Sequence, residues 1–363
     1  MGRYILIRSV FIFIVIFIVL SLNFTILKLA PQYPPTTEDA RTIYFTRQVN
    51  DGYMTSTIVD DPFEVAEIEN GEWEECANNE WYCEKVDDIG DSTFYRIYKP
   101  IPLSTQFFTW IKNIITDWNW GYSTRVAVNV PVFDVLKTRL PVTIRLNIIS
   151  LFFYIPVGFA LGIIAALNKN SLIDNIISLG VMIFISVPSF VVMTLLVMFF
   201  GYELGWFPAQ FPSSDLGGAI QFWGMFLPVF GLSFAAVASL TRVSRAELTE
   251  VLTSEFLLLA RTKGLTRRQA VIRHAMRNSM VPLVPGIIFS FVGLLSGSVI
   301  IERIYGIPGA GKLYLQALVK NNYDYNLLLG LTAFYTIISL FAVLIVDLSY
   351  GLVDPRIRMG ARK

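Results

Sequence analysis

Six stretches of this chain carry no Asp, Glu, Lys or Arg over lengths that match a lipid bilayer. They are Ser9–Leu27 (19 residues), Leu146–Asn168 (23), Asn175–Tyr202 (28), Leu216–Thr241 (26), Asn278–Ile301 (24) and Tyr325–Val346 (22). A helix needs about 20 mainly apolar residues to cross the hydrocarbon core. Buried helices of a soluble protein account for one or two such stretches, not for six. Composition agrees, with 54% hydrophobic and 16% charged residues and a mean hydropathy of +0.56. The expected fold class is all-α integral membrane, with six transmembrane helices.

Arg3 and Arg8 precede the first stretch as they precede a secretory signal. Its apolar core is too long for one, and Lys28 in "LKLAPQ" sits where a small-residue cleavage motif belongs, so it is read as a retained span. Charge then orients the chain. Pro31 to Pro102 holds 16 acidic and 5 basic residues, a net of −11, within a chain of net +1. Positive charge gathers at Arg3 and Arg8, between Arg242 and Arg277, and in the tail at Arg356, Arg358, Arg362 and Lys363. Cytoplasmic segments carry the Lys/Arg excess, so both termini and the Arg242–Arg277 stretch are expected inside and the acidic segment outside. Counting spans leads to the same topology. Arg145 runs against the charge rule and is expected to snorkel outward.

The expected organisation is a first span over 1–30, an acidic extracellular subdomain over 31–102 and an external interfacial segment over 103–138. A core of five spans follows over 139–353, with a cytoplasmic loop at 242–280 and a tail at 354–363. In the acidic segment, "TSTIV", "EWEECANNEWYCEKV" and "STFYRIY" have the β-branched and aromatic content of short strands. The chain's two cysteines, Cys76 and Cys83, lie here, where a disulfide is chemically allowed; two free thiols are the alternative. Beyond it, Phe107, Phe108, Trp110, Ile111, Ile114, Ile115, Trp118 and Trp120 share one helical face. Such a helix either lies in the membrane interface or packs on the subdomain.

The stretch from Arg242 to Arg277 holds eight basic and three acidic residues, a net of +5. Glu255 to Arg261 reads as a short helix with Phe256, Leu259 and Ala260 on one side. Gly264 supplies its stop, and a second helix begins near Thr266. This is either a docking element that offers an apolar knob to a soluble partner or an ordinary basic loop at lipid headgroups.

The loop resembles that of bacterial ABC importer permeases, specifically the first permease subunit of dipeptide and oligopeptide importers. The residues that carry the resemblance are Glu255-Phe256, Ala260-Arg261, Lys263-Gly264-Leu265, His274, Arg277-Asn278 and Pro282. Leu258 and Leu259 replace the first two residues of the general importer pattern Glu-Ala-Ala-x-x-x-Gly. "RLPVTIRL" at Arg139, "SVPSF" at Ser186, "LGWFP" at Leu204 and "DPRIR" at Asp354 extend the likeness from about residue 130 to the end, together with the first span. The acidic subdomain has no counterpart in it. The resemblance implies the type I importer permease fold and a non-catalytic chain. It implies as partners a second permease, two cytoplasmic ATPases that bind ATP and Mg, and an extracellular binding protein. It places the ATPase contact at Ser254, Glu255, Phe256, Leu259, Ala260, Arg261, Lys263 and Gly264. This chain is expected to need no cofactor and no metal and to bind no nucleic acid; apart from its protein partners it meets membrane lipid.

"GIPGAGKL" at Gly306–Leu313 comes within one residue of the nucleotide-binding pattern G-x-x-x-x-G-K-[ST]. Leu313 stands where that pattern puts its magnesium ligand, and a membrane span rather than a sheet strand precedes it. ATP binding is therefore not expected. Peptide permeases carry a similar Pro-Gly-x-Gly-[Arg/Lys]-Leu after their fifth span, here Pro308, Gly309, Gly311 and Lys312 around Ala310. The expected role is a tight turn at the outer rim. Lys312 then either contacts a substrate carboxylate or the binding protein, or caps the turn.

In the fifth span, Ser290, Gly293, Ser296, Gly297 and Ser298 are small, and Gly293-x-x-x-Gly297 suits close helix packing or a shared central path. Asp347, near the cytoplasmic end of the sixth span, is expected to be structural, within reach of water or an Arg. His274, the single histidine, has no neighbours at metal-ligand spacing. Nickel and glutathione importers share this permease type. An ion-coupled secondary transporter would need mid-membrane ionisable groups and internal repeats, and a membrane sensor would not need this loop.

Overall fold

The computed structural model describes residues 2–30, 34–35, 37–73, 76, 82–86, 94–295, 299–319 and 323–353. In chain order the helices are α1 (Gly2–Leu29), α2 (Glu38–Asn50), α3 (Pro62–Asn70), α4 (Leu103–Asp117), α5 (Val132–Leu167), α6 (Leu172–Ser186), α7 (Ser189–Leu196), α8 (Gly218–Gly224) and α9 (Phe226–Leu252). Then come α10 (Glu255–Thr262), α11 (Arg267–Ala270), α12 (Met276–Met280), α13 (Leu283–Leu295), α14 (Val299–Ile304), α15 (Ala310–Ala317) and α16 (Tyr325–Val353). The strands are β1 (Met54–Val59), β2 (Tyr82–Val86) and β3 (Phe94–Pro100). The chain divides into two compact units, residues 1–16, 136–316 and 334–363 in one, residues 17–135 and 317–333 in the other.

Four helical stretches among the described residues are long and apolar enough to span a membrane: Leu6–Leu29, Val132–Leu167, Gly218–Leu252 and Tyr325–Leu348. The uncharged window 175–202, expected as one straight span, is instead α6 followed by the arm Ser189–Glu203, made of α7 and a π-helical stretch after it, bent by 98°. Pro188 is the cause. It cannot donate to the preceding turn, and it forces Val187 into the extended region, at φ −87° and ψ 124°. The window 278–301 is met by α13 and α14, with residues 296–298 outside the described set.

The first unit is cored by Leu146, Met193, Val197, Met225, Leu227, Val229, Ile301, Tyr305 and Ile307. Helices α5 and α9 approach closely. A Cβ on Gly162 would sit 2.6 Å from Ser244 Cβ, and one on Gly158 would sit 3.0 Å from Leu240. The approach lets Thr241 Oγ1 donate to the Gly158 carbonyl at 3.3 Å and Ser233 Oγ to the Ser150 carbonyl at 3.5 Å. Gly158-x-x-x-Gly162 is thus a close-packing pattern in use, and the sequence reading had singled out only the one at Gly293. Gly162→Val is expected to destabilise the chain by about 1–3 kcal/mol through overpacking. Gly180→Val, where no atom lies within 4 Å of the added Cβ, is the control. Thermal stability of the solubilised chain compares the two, and equal values would refute the packing account.

The second unit contains the strands. They form one antiparallel sheet in the order β1-β3-β2, with Ile58 opposite Arg96 and Cys83 opposite Ile97. Val59, Val65 and Ile97 are its core, and α3 covers it. The ends of α3 follow from sequence. Asp61 accepts from the Phe63 N–H, Pro62 occupies the first turn, and Gly71 closes it at φ +72°. A disulfide joins Cys76 to Cys83, with Cα atoms 5.8 Å apart. Helices α2 and α3 had no sequence expectation.

The eight apolar residues expected on one face around α4 divide in two. Phe107, Trp110 and Trp120 are buried, and Phe107 and Trp110 pack on Phe24 of α1 at ring distances of 5.5 and 5.6 Å. Phe108, Ile115 and Trp118 are exposed. Six of these positions lie within α4 and two just beyond its end, an arc too wide for one contact, so α4 buries one edge and leaves another exposed.

Candidate functional site

The loop after α9 is built from within outward. Leu257 of α10 is buried against Ala166, Leu248, Ala270 and Ala275, which anchors a helix of eight residues that would not persist alone. Its neighbours Phe256, Leu258 and Leu259 are 42%, 62% and 56% exposed. Glu255 lies in the first turn and Arg261 in the last, each favourable to the helix dipole. Ser254 turns its hydroxyl back to the Val251 carbonyl at 2.6 Å. Ala260 is half-buried, and Lys263 is exposed. Gly264 stands at φ +94° and donates to the Arg261 carbonyl at 3.0 Å, ending the helix as expected of glycine there. Thr266 and Gln269 then form a reciprocal capping box that starts α11. The result is an apolar knob on a basic loop, tied to the helix bundle through one leucine.

The turn at "GIPGAGKL" does bind an anion through its backbone, and the anion is Glu302. This carboxylate is fully buried. One oxygen accepts from the Lys312 N–H at 2.9 Å, and the other accepts from Thr143 Oγ1 at 3.0 Å. The Gly311 N–H also donates to it. The Ala310 N–H donates to Thr143 Oγ1 at 2.9 Å. Gly309 has to be glycine, because a Cβ there would lie 2.4 Å from the carboxylate. Pro308 precedes this cradle, and Lys312 Nζ donates to the Gly306 carbonyl at 3.4 Å. A turn of glycines that presents amides makes an anion-binding nest. Glu302 occupies it from the same chain. The sequence reading missed this residue, although its charge borders the fifth uncharged window four residues before Gly306.

Other charges that border the windows are also partnered. Arg8 donates to Asp347 at 2.5 Å, which gives Asp347 the structural role expected of it. Arg245 grips the buried Asp174 with two hydrogen bonds of 2.5 and 2.7 Å, a bidentate pair. Asp324 is enclosed by donors from residues 123–126 of its own unit. Of the residues expected to line a path, Ser290 is exposed and bonds the Gly286 carbonyl at 2.8 Å, and Gly293 lies within α13. Ser296, Gly297 and Ser298 lie outside the described residues. His274 is exposed, in a short π-helical turn from Val271 to Ala275.

Several apolar helices with paired charges at their ends, and a short helical loop anchored between two of them, define a multi-pass membrane component. The comparisons place it further. Residues 158–359 match the model of the family described as binding-protein-dependent transport system inner membrane component, and the chain belongs to that family. It is 36% identical over 262 residues to the dipeptide transport system permease protein DppB of Lactococcus lactis subsp. cremoris, covering 71% of this chain and 82% of that one. It is 36% identical over 257 residues to the oligopeptide transport system permease protein OppB of Escherichia coli K12, covering 71% and 81%. It is 33% identical over 258 residues to the DppB of Bacillus subtilis 168, covering 71% and 80%.

Proposed function

We propose that this chain is a permease subunit of an ATP-driven importer of short peptides, with both termini in the cytoplasm. A second, related permease completes the translocation path. Two ATPase subunits bind ATP and Mg, an extracellular binding protein delivers substrate, and this chain performs no chemical step. The observation that carries the reading is α10, with Phe256, Leu258 and Leu259 turned outward from an anchor at Leu257. An apolar helical knob held this way fits a groove on a soluble partner. Because Leu257 packs against Leu248 of the long helix α9, displacement of α10 moves a transmembrane helix with it. That is the coupling: closure of the ATPases pulls α10 and swings the helices between inward-open and outward-open states. Peptide is the substrate class because the curated relatives are peptide permeases.

The chain coexpressed with candidate partner subunits is expected to copurify with two ATPase subunits. Vesicles containing the complex should accumulate labelled di- and tripeptides only with ATP and binding protein present. Accumulation driven by an ion gradient without ATP would remove the reading.

A further inference from the structure

Two open cavities lie side by side in the second unit. One, of about 450 Å³, is lined by Asp39, Tyr44, Arg47, Gln48 and Arg125 among others. The other, of about 730 Å³, shares Tyr44 and Gln48 and is walled by Phe45, Tyr53, Tyr82 and Tyr98. Tyr44 and Gln48 stand one turn apart on α2. A smaller recess bounded by the same pair shares Lys28 with the larger cavity and Arg125 and Asn326 with the other. Cavities of about 300–1,000 Å³ are the size of small-ligand sites, not of a protein docking face.

The walls are held in place. Asp324 is fully buried. Its Oδ2 accepts from Ser123 Oγ at 2.6 Å and from the N–H groups of Thr124, Arg125 and Val126 at 3.1, 3.0 and 3.1 Å. Its Oδ1 accepts from the Leu327 N–H at 3.2 Å. This fixes the backbone that carries Arg125. Arg47 donates from Nη1 to Asn129 Oδ1 at 2.7 Å and lies 3.8 Å from the Tyr122 ring centroid. On the aromatic side Phe45 stacks on Tyr82 at 4.0 Å and on Tyr98 at 4.8 Å.

The charges are arranged against their surroundings. Residues 31–102 have a net charge of −11, yet the cavities gather Arg47 from that segment together with Lys28 and Arg125 from either side of it. Asp39 is the carboxylate in the Arg47 cavity, two turns away along α2 and so at roughly 12 Å. Two guanidinium groups suit a carboxylate, which they recognise in a planar, forked geometry. A carboxylate at the other end suits an ammonium group. The ligand that matches is a zwitterion with an apolar or aromatic body.

We infer that this recess binds free short peptides, the C-terminal carboxylate on Arg47 and Arg125, the ammonium group toward Asp39, and a side chain in the Tyr53–Tyr82–Tyr98 cleft. The inference rests on the reading of the chain as a peptide permease and adds to it a second peptide station, on the permease itself.

The test uses the assembled transporter in nanodiscs without binding protein. Equilibrium dialysis measures binding of radiolabelled Ala-Ala-Phe and of its C-terminal amide. The free acid is expected to bind about tenfold more tightly than the amide, the worth of one charge-assisted contact. Arg47→Gln should weaken the acid about tenfold and leave the amide unchanged, so that the discrimination disappears. Arg47→Lys, which keeps the charge, should restore part of it, and equal yields of assembled complex exclude misfolding. Equal binding of acid and amide to the wild type, or discrimination untouched in both Arg47→Gln and Arg125→Gln, overturns the inference. So does a variant that loses only its association with the binding protein, because the recess would then be a protein contact. Uptake measured in parallel separates the two readings. ATP-driven peptide uptake without free-peptide binding sinks the recess alone, and no peptide uptake at all sinks both.

Discussion

Glu302→Ala is expected to lower the stability of the chain by about 3–5 kcal/mol, the scale of leaving several buried donors unpaired with a cavity beside them. The carboxylate has no access to solvent and accepts from the Lys312 and Gly311 amides and from Thr143 Oγ1. Its removal strands those donors in the interior, where each unmet group costs roughly 1–3 kcal/mol. It also leaves a void beside Gly309. Glu302→Gln keeps an acceptor but points an NH₂ group at amide donors, and should fall between wild type and alanine. Gly309→Ala approaches the same contact from the other side, since its Cβ would meet the carboxylate at 2.4 Å, and should resemble Glu302→Ala. Thermal unfolding of the purified complex ranks the four proteins. A Glu302→Ala protein as stable as wild type would show that the amides of this turn find another partner, and the nest would lose its structural meaning.

The same residue marks where sequence reading stopped. "GIPGAGKL" was legible as a tight turn, and Leu313 and the preceding span argued against nucleotide as its ligand. The occupant was not legible, because a hydrogen bond between Glu302 and Lys312 depends on how α14 and α15 fold back, which no periodicity reports. The uncharged windows located the long helices, since exclusion of charge is a property of composition along the chain. They did not report the 98° bend, because Pro188 is uncharged and passes unnoticed in a charge search. Its backbone consequence is nevertheless local and readable. Close packing shows a related limit. Gly158 and Gly162 have the same spacing as Gly293 and Gly297, and only the positions of Leu240 and Ser244 on α9 show that the first pair is in use. The strands were readable from their β-branched and aromatic runs. Helix α2 was not, because its mixed sequence "EDARTIYFTRQVN" has only a weak apolar face, and its placement comes from Phe45 stacking on Tyr82 and Tyr98.

Placing aspartate at both Phe256 and Leu259 is expected to release the ATPases while leaving the permease folded. Neither side chain belongs to the buried core of the loop, so the substitutions remove little internal packing; the helix keeps its anchor at Leu257 and its stop at Gly264. A buried apolar anchor at a protein interface is worth about 2 kcal/mol or more, roughly a 30-fold change in affinity for each. The double variant should therefore lose copurifying ATPase and ATP-driven peptide uptake together, with thermal stability of the isolated chain unchanged. Phe63→Asp is the matched control. Phe63 is 83% exposed on α3 in the other unit, and its replacement should leave ATPase association intact. Gly264→Pro tests the geometry of the same loop rather than its surface. Proline cannot adopt φ +94° and cannot donate to the Arg261 carbonyl, so α10 loses its defined end. In that variant the ATPases can still be captured by the apolar face, and the expected signature is ATP hydrolysis that no longer drives uptake. Loss of association in the surface variant and loss of coupling in the backbone variant separate binding from force transmission. If the Phe256→Asp, Leu259→Asp protein retains full ATPase content and wild-type uptake, α10 is an ordinary basic-loop helix, and the contact with the ATPases lies elsewhere on the chain.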